Sequence, residues 1–292
     1  MPSFAEAHEG PALGALISGH DLILCDVWGV VHDGTRVFPS AIDALIRARA
    51  AGVPVVLLSN SPRPGRKLIP ALDRVGVDRA AYDDIVTSGD VMVARLQAEA
   101  AAHRAGTGRP LGIFLIGTGD DQVIFDGLDL NFTSLALADR IVVTGLSGDA
   151  TEAEVDGWRV PLAEAARRGV PLICGNPDLA IISAGVRIPC AGAIAALYEE
   201  LGGAVEQCGK PYAPVYAAAR QRAPGAVRPI AIGDAVATDL RGAAAQGMPA
   251  IFIADGLHGA DLIRDGRLDE AALERVLSGL PRPTGVMPVL RW

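Results

Sequence analysis

Short apolar runs that stop abruptly at polar residues recur along this chain, and they limit its fold more than any other feature. Leu22 to Val31 reads as a buried strand running into a Gly-containing loop, and Val53 to Leu58, Pro229 to Gly233 and Ala250 to Ala254 read as buried strands. Runs of this length bounded by turn residues fit strands covered on both faces. Helical stretches alternate with them: one capped by Ser40 and ending near Gly52, one near Tyr212 to Arg222, and one from Thr238 to Gln246. Such alternation predicts βαβ units and a parallel sheet, with ligands gathered beyond the carboxyl ends of the strands.

The middle of the chain has its own alternation. A helix starts at about Asp90, the strands Gly112 to Ile116 and Ile141 to Thr144 follow, and a helix from Glu152 to Arg168 leads to the strand Pro171 to Cys174. The expected fold is therefore α/β, a parallel sheet interrupted by an inserted α/β domain. Residues 1–88 with 206–292 form the expected core and residues 89–205 the insertion; a linear two-domain chain is the alternative. The segment Pro281 to Trp292 reads as irregular, and no internal repeat is detectable.

Composition narrows the partners. Half of the 292 residues are hydrophobic, 21% are charged and the formal net charge is −8. A globular chain follows, and binding to nucleic acid or an anionic membrane is disfavoured, because such partners want a concentrated basic face. A small anionic substrate stays open, since local cations and a metal can override the global field. The first residues carry Glu6, His8 and Glu9 instead of a basic segment before an apolar one, and no apolar run reaches the roughly 18 residues of a membrane span. A cytoplasmic protein is expected. Cys25, Cys174, Cys190 and Cys208 are widely spaced, with no CxxC pair, and read as packing residues.

Four polar signals sit at strand ends. The first, Cys25-Asp26-Val27-Trp28-Gly29-Val30, places a carboxylate at a strand mouth; alone, it reads first as a turn cap. The second is Ser59-Asn60-Ser61, where a hydroxyl and backbone amides can hold a phosphate. The third is Lys210, fixed between Gly209 and Pro211, a cation able to pair with a carboxylate and a phosphate oxygen. The fourth is Gly233-Asp234 followed by Asp239; two acids across a turn can bind a hard cation such as Mg²⁺ through oxygen.

In order and placement the four together resemble the motifs of the haloacid dehalogenase superfamily. With Gly175-Asn176-Pro177-Asp178 they resemble its class IIA, the NagD-like phosphatases, over Leu22 to Ala254. The resemblance implies a nucleophile at Asp26, a phosphate-binding hydroxyl at Ser59, a charge-neutralising Lys210 and an acidic metal motif at Asp234 and Asp239. It also implies a doubly wound parallel sheet as the core, a Mg²⁺-dependent phosphatase of small phosphorylated metabolites with an aspartyl-phosphate intermediate, an inserted domain that covers the site and selects the substrate, and often a homodimer through that cap. Asn176 and Asp178 are implied in substrate or lysine contact. Amides of Val27, Trp28, Asn60 and Ser61 can hold phosphate, the Trp28 carbonyl can ligate the metal, and Arg63 and Arg66 can meet the substrate's anionic part.

One position departs from the pattern. The family's second Asp, two residues after the nucleophile, acts as the proton donor, and here it is Trp28. Such help is worth roughly 10² to 10⁴ in rate. Alkyl phosphates should be slow, and aryl or acyl phosphates should suffer less. His32 and Asp33 are candidate substitutes. A catalytically weak phosphate-ester binding protein is the competing expectation, and a hydrolase of carbon–halogen or carbon–phosphorus bonds a third. Gly117-Thr118-Gly119 begins like a dinucleotide loop, but Gln122 holds the third glycine position, so that cofactor is not expected.

Overall fold

The computed structural model describes residues 12–183, 186–265 and 267–292. The chain forms two compact units. One runs up to Ser59 and takes in Arg66–Val86 and Lys210–Trp292; the other comprises Asn60–Gly65 and Thr87–Gly209. The short Asn60–Gly65 segment thus groups with the second unit and not with residues 1–88. Its backbone polar groups explain why: Ser61 O accepts from Gly89 N, Arg63 O accepts from the Thr87 hydroxyl, and Gly65 N donates to Asp90.

The first unit is built on a six-stranded sheet in the order Gly285–Met287, Ala250–Ile253, Pro229–Gly233, Leu22–Cys25, Val55–Ser59, Asp84–Thr87. Leu22–Cys25 pairs in parallel with both neighbours, and its four residues are buried on both faces, as its unbroken apolar run requires. The chain winds outward from this strand through Val55–Ser59, then returns to its other side at Pro229–Gly233. The order therefore reverses between Leu22–Cys25 and Pro229–Gly233, and a crevice at the carboxyl ends of these two strands is where open α/β sheets bind ligands.

The first strand ends at Cys25 and runs into the expected Gly-containing loop, where the chain turns helically: Val31 N and His32 N both donate to Val27 O, and Gly29 takes a φ of +84°. Two other local expectations need correction. The helix Pro39–Ala50 is not capped by Ser40; Phe38 holds the N-cap position without a side-chain cap, and Pro39 presets the first turn. Its buried Ala41, Ala44, Leu45 and Ala48 form the stripe that packs on the core. The segment Pro281 to Trp292 is not wholly irregular, since Gly285–Met287 adds an edge strand parallel to Ala250–Ile253. The four residues between Pro283 and Pro288 are too few to show a pattern in sequence.

The second unit carries a five-stranded, all-parallel sheet in the order Val205–Gln207, Leu172–Cys174, Arg140–Val143, Leu111–Ile116, Leu130–Phe132. An antiparallel pair, Ala180–Ser183 with Val186–Pro189, stands apart from it. Helix Ser88–Thr107 starts in a capping box made by Thr87 and Asp90 and ends at Gly108, which takes the left-handed conformation. The helix expected over Glu152 to Arg168 is two helices, Glu152–Gly157 and Arg159–Arg167. Pro161 is the cause: it lacks an N–H, and its ring opposes the carbonyl four residues back, at Gly157. Among the described residues no helix is long and apolar enough to cross a membrane.

Candidate active site

Asp26 follows directly on the strand Leu22–Cys25, and its amide donates to Ile232 O across the sheet at 2.8 Å. Asp234 follows Pro229–Gly233 on the neighbouring strand, and Asp239 lies one helical turn further on. Each of the three offers a carboxylate oxygen, and these lie within 4.8 Å of one another. All three side chains are buried. Lys210 reaches into the same place and is itself only 3% exposed. Its Nζ donates to Asp26 Oδ1 at 2.5 Å and to Asp239 Oδ1 at 2.7 Å.

The electrostatics of this group are unbalanced. Burial works against the Lys210 ammonium, but Asp239 and Asp26 hold its pKa well above the usual value, so it stays charged. Burial, with the charges of Asp26 and Asp239, raises the Asp234 carboxyl well above the carboxylate range. Burial and Asp26 likewise raise Asp239. Three carboxylates around one ammonium leave an excess of negative charge in a dry place, and a hard divalent cation with oxygen ligands suits that donor set.

Glycines let the loops close on the acids. A Cβ on Gly29 would lie 2.0 Å from Asp234 Oδ2, one on Gly256 would lie 2.2 Å from the same atom, and one on Gly233 would lie 2.2 Å from Asp239 Cγ. Leu257 N donates to Asp234 Oδ2 at 2.7 Å, and Ala235 N donates to Asp239 Oδ2 at 3.0 Å. Gly256 and Leu257 were missed by sequence reasoning. Their signal was positional: they follow Ala250–Ile253, a fourth strand of the sheet whose other strand ends carry Asp26, Ser59 and Asp234.

The remaining expected residues divide between the units. Val27 is buried, Trp28 is 42% exposed, and Ser59 closes the strand Val55–Ser59, all in the first unit. Asn60, Ser61, Arg63, Asn176 and Asp178 belong to the second. There Asn60 Nδ2 donates to Asp178 Oδ1 at 2.8 Å, Asn176 Oδ1 accepts from Asp178 N at 3.1 Å, and Arg63 stands 3.7 Å from the buried Asp121. Arg66 is exposed on the helix Gly65–Val75. Asp33 is occupied by its own loop: the amides of Thr35 and Arg36, the Thr35 hydroxyl and Arg36 Nε all donate to it. These bonds, the Thr35 hydroxyl first, hold it below the usual carboxylate range, which suits an anchored anion and not a proton donor. His32 is buried, and its Nδ1 accepts from Gly34 N at 2.9 Å.

Fold and site together define an α/β protein with a buried carboxylate just past the carboxyl end of its first parallel strand. Residues 23–130 match the haloacid dehalogenase-like hydrolase family, and residues 207–281 match a HAD-hydrolase-like family. A haloacid dehalogenase-like hydrolase from Brucella suis 1330 is 38% identical, with 96% of this chain and 98% of that one covered and a TM-score of 0.79. The chain therefore belongs to the haloacid dehalogenase-like hydrolase family. Its fold is shared at lower identity by two further structures. NagD from E. coli K-12 is 23% identical over 93% of this chain and 97% of its own, with a TM-score of 0.62. A glycerol phosphate phosphatase from Mycobacterium tuberculosis, solved in complex with calcium, is 22% identical over 82% and 68%, with a TM-score of 0.60. Comparison with curated proteins gives no match.

Proposed function

We propose that the protein is a Mg²⁺-dependent phosphatase of small phosphomonoesters that works through a phosphoaspartyl intermediate. The observation that carries this reading is Lys210 bridging Asp26 and Asp239 inside a buried trio of acids. One carboxylate oxygen of Asp26 attacks phosphorus and forms an O–P bond, while the ester P–O bond breaks and its electron pair leaves on the organic oxygen. Water then attacks phosphorus, the Asp26 carboxylate departs, and phosphate is released. Lys210 offsets the charge that builds on the phosphoryl oxygens, and Ser59 with the amides of Val27, Trp28, Asn60 and Ser61 orients them. Asp26, Asp234, Asp239 and the Trp28 carbonyl would hold Mg²⁺, which supplies charge neutralisation when bound. In the second unit Arg63, Asn176 and Asp178 are the candidates for recognising the organic part. The glycerol phosphate phosphatase that shares the fold supports both the ester class and a divalent metal.

Trp28 favours a second reading, a phosphate-ester binder with little turnover, because an indole cannot protonate the leaving oxygen. A panel of phosphate esters with and without Mg²⁺ separates the two. The phosphatase reading predicts metal-dependent turnover that Asp26→Asn abolishes. Metal-dependent binding of inorganic phosphate with no turnover would establish the second reading instead.

A further inference from the structure

Trp28 is built into the active-site loop in a way that the missing proton donor alone does not explain. Of the three tryptophans it is the exposed one; Trp158 and Trp292 are both more covered. Its direction is nonetheless fixed. The benzo end of the indole is seated on Gly34, where a Cβ would lie 2.3 Å from Cη2 and 2.9 Å from both Cζ2 and Cζ3. Gly34 also has a φ of +91°, so a side chain at that position is excluded twice. On another side the ring meets His32 edge to face, with centroids 5.5 Å apart at 69°. His32 is itself held by the Gly34 amide and by a backbone bond from Gly29 N to His32 O at 2.8 Å. The loop thus seats the indole against a glycine and a buried histidine while leaving much of it open, two residues from the proposed nucleophile.

A rigid, open aromatic surface is a stacking platform. Planar π-systems stack on such side chains with little entropy to lose, and an alanine substitution at such a contact typically costs roughly 5- to 100-fold in affinity. The chemistry at position 28 points the same way. Without a proton donor there, the ester oxygen leaves as an anion, which an aryloxide does far more readily than an alkoxide. We propose that Trp28 selects the substrate class: phosphomonoesters of planar aromatic alcohols, whose ring stacks on the indole and whose oxygen departs unprotonated. This inference rests on the phosphatase reading above.

The test uses full-length protein with Mg²⁺ and compares 4-nitrophenyl phosphate with acetyl phosphate, whose leaving group also departs unprotonated but offers no ring. Trp28→Leu should lose at least fivefold more kcat/KM on the aryl substrate than on acetyl phosphate, chiefly through KM, while Trp28→Phe should hold the ratio of the two within about threefold of wild type. Equal losses on both substrates would mean that Trp28 merely packs the loop, and would overturn the inference. The unmodified protein gives a check that needs no variant: phenyl phosphate should outpace a fluoroalkyl phosphate of matched leaving-group acidity, and equal rates would also overturn it. Failure of the underlying reading looks different. Wild-type protein would then turn over none of these substrates, or Asp26→Asn would turn them over undiminished, and the inference would fall with it.

Discussion

At the residue scale, the site depends on how close backbone can come to carboxylate. Gly29 is the sharpest case, because its positive φ and the 2.0 Å from a notional Cβ to Asp234 Oδ2 both exclude a side chain. Gly29→Ala should leave a folded protein whose Mg²⁺ affinity, measured by calorimetry, falls about 10- to 100-fold, the range seen when a ligand's supporting contacts are lost. Trp28→Asp tests a different link. Restoring a proton donor should raise kcat on alkyl phosphates by roughly 10² or more in a folded variant, and an unchanged rate would show that protonation does not limit the reaction. Asp26, Asp234 and Asp239 were legible in sequence because each follows an apolar run that could only be a strand or its turn, whereas Lys210 was legible from its place between Gly209 and Pro211. The bond from Asn60 to Asp178 was not legible, since it joins residues far apart in the chain through side-chain direction, which no local pattern encodes.

At the element scale, what could be read was what had period and length. The strand Pro229–Gly233 has the predicted limits, and the buried stripe of Pro39–Ala50 follows from its sequence. The three-residue strands Leu130–Phe132 and Val205–Gln207 were missed, because neither has the unbroken apolar run that marked Leu172–Cys174. The Thr87–Asp90 capping box that starts Ser88–Thr107 predicts that Thr87→Ala costs about 1 kcal/mol or somewhat more in denaturant unfolding, since that hydroxyl also serves Arg63 O. Asp139 supplies a pH-dependent contribution. It accepts from both terminal nitrogens of Arg109 at 2.7 and 2.8 Å and from Gly112 N at 2.8 Å, and the Arg109 bonds hold its carboxyl down at about 2. A carboxyl depressed in the folded state stabilises fully above its unfolded value near 4 and loses that contribution as pH falls toward 2. Asp139→Asn should therefore be less stable at pH 7 by roughly 1 kcal/mol, discounted for the half-exposed guanidinium. Unfolding curves of the two proteins should converge as pH drops from about 4 to about 2.

At the scale of the whole molecule, the parallel sheet and the presence of a second α/β unit were legible from alternation, the doubly wound order only through the motifs' resemblance to a known family, and the grouping of Asn60–Gly65 not at all, because it depends on backbone bonds to a distant helix start. Folding this chain gathers three acids and one lysine out of water, so the metal-free protein carries repulsion that a bound cation relieves. Mg²⁺ should therefore raise the unfolding midpoint, by the equivalent of about 2.7 kcal/mol at a hundredfold excess over its dissociation constant, and Asp234→Asn should lose that gain while being no less stable than wild type without metal. The central claim is that Asp26 carries the phosphoryl group. The most direct measurement is to quench the protein during turnover of 4-nitrophenyl phosphate with Mg²⁺, reduce it with borohydride, and sequence the peptide spanning Leu22–Val31 by mass spectrometry. Homoserine at position 26, formed by reduction of a phosphoaspartyl group, is the predicted result; rapid turnover with Asp26 unmodified and the label on another residue would contradict it.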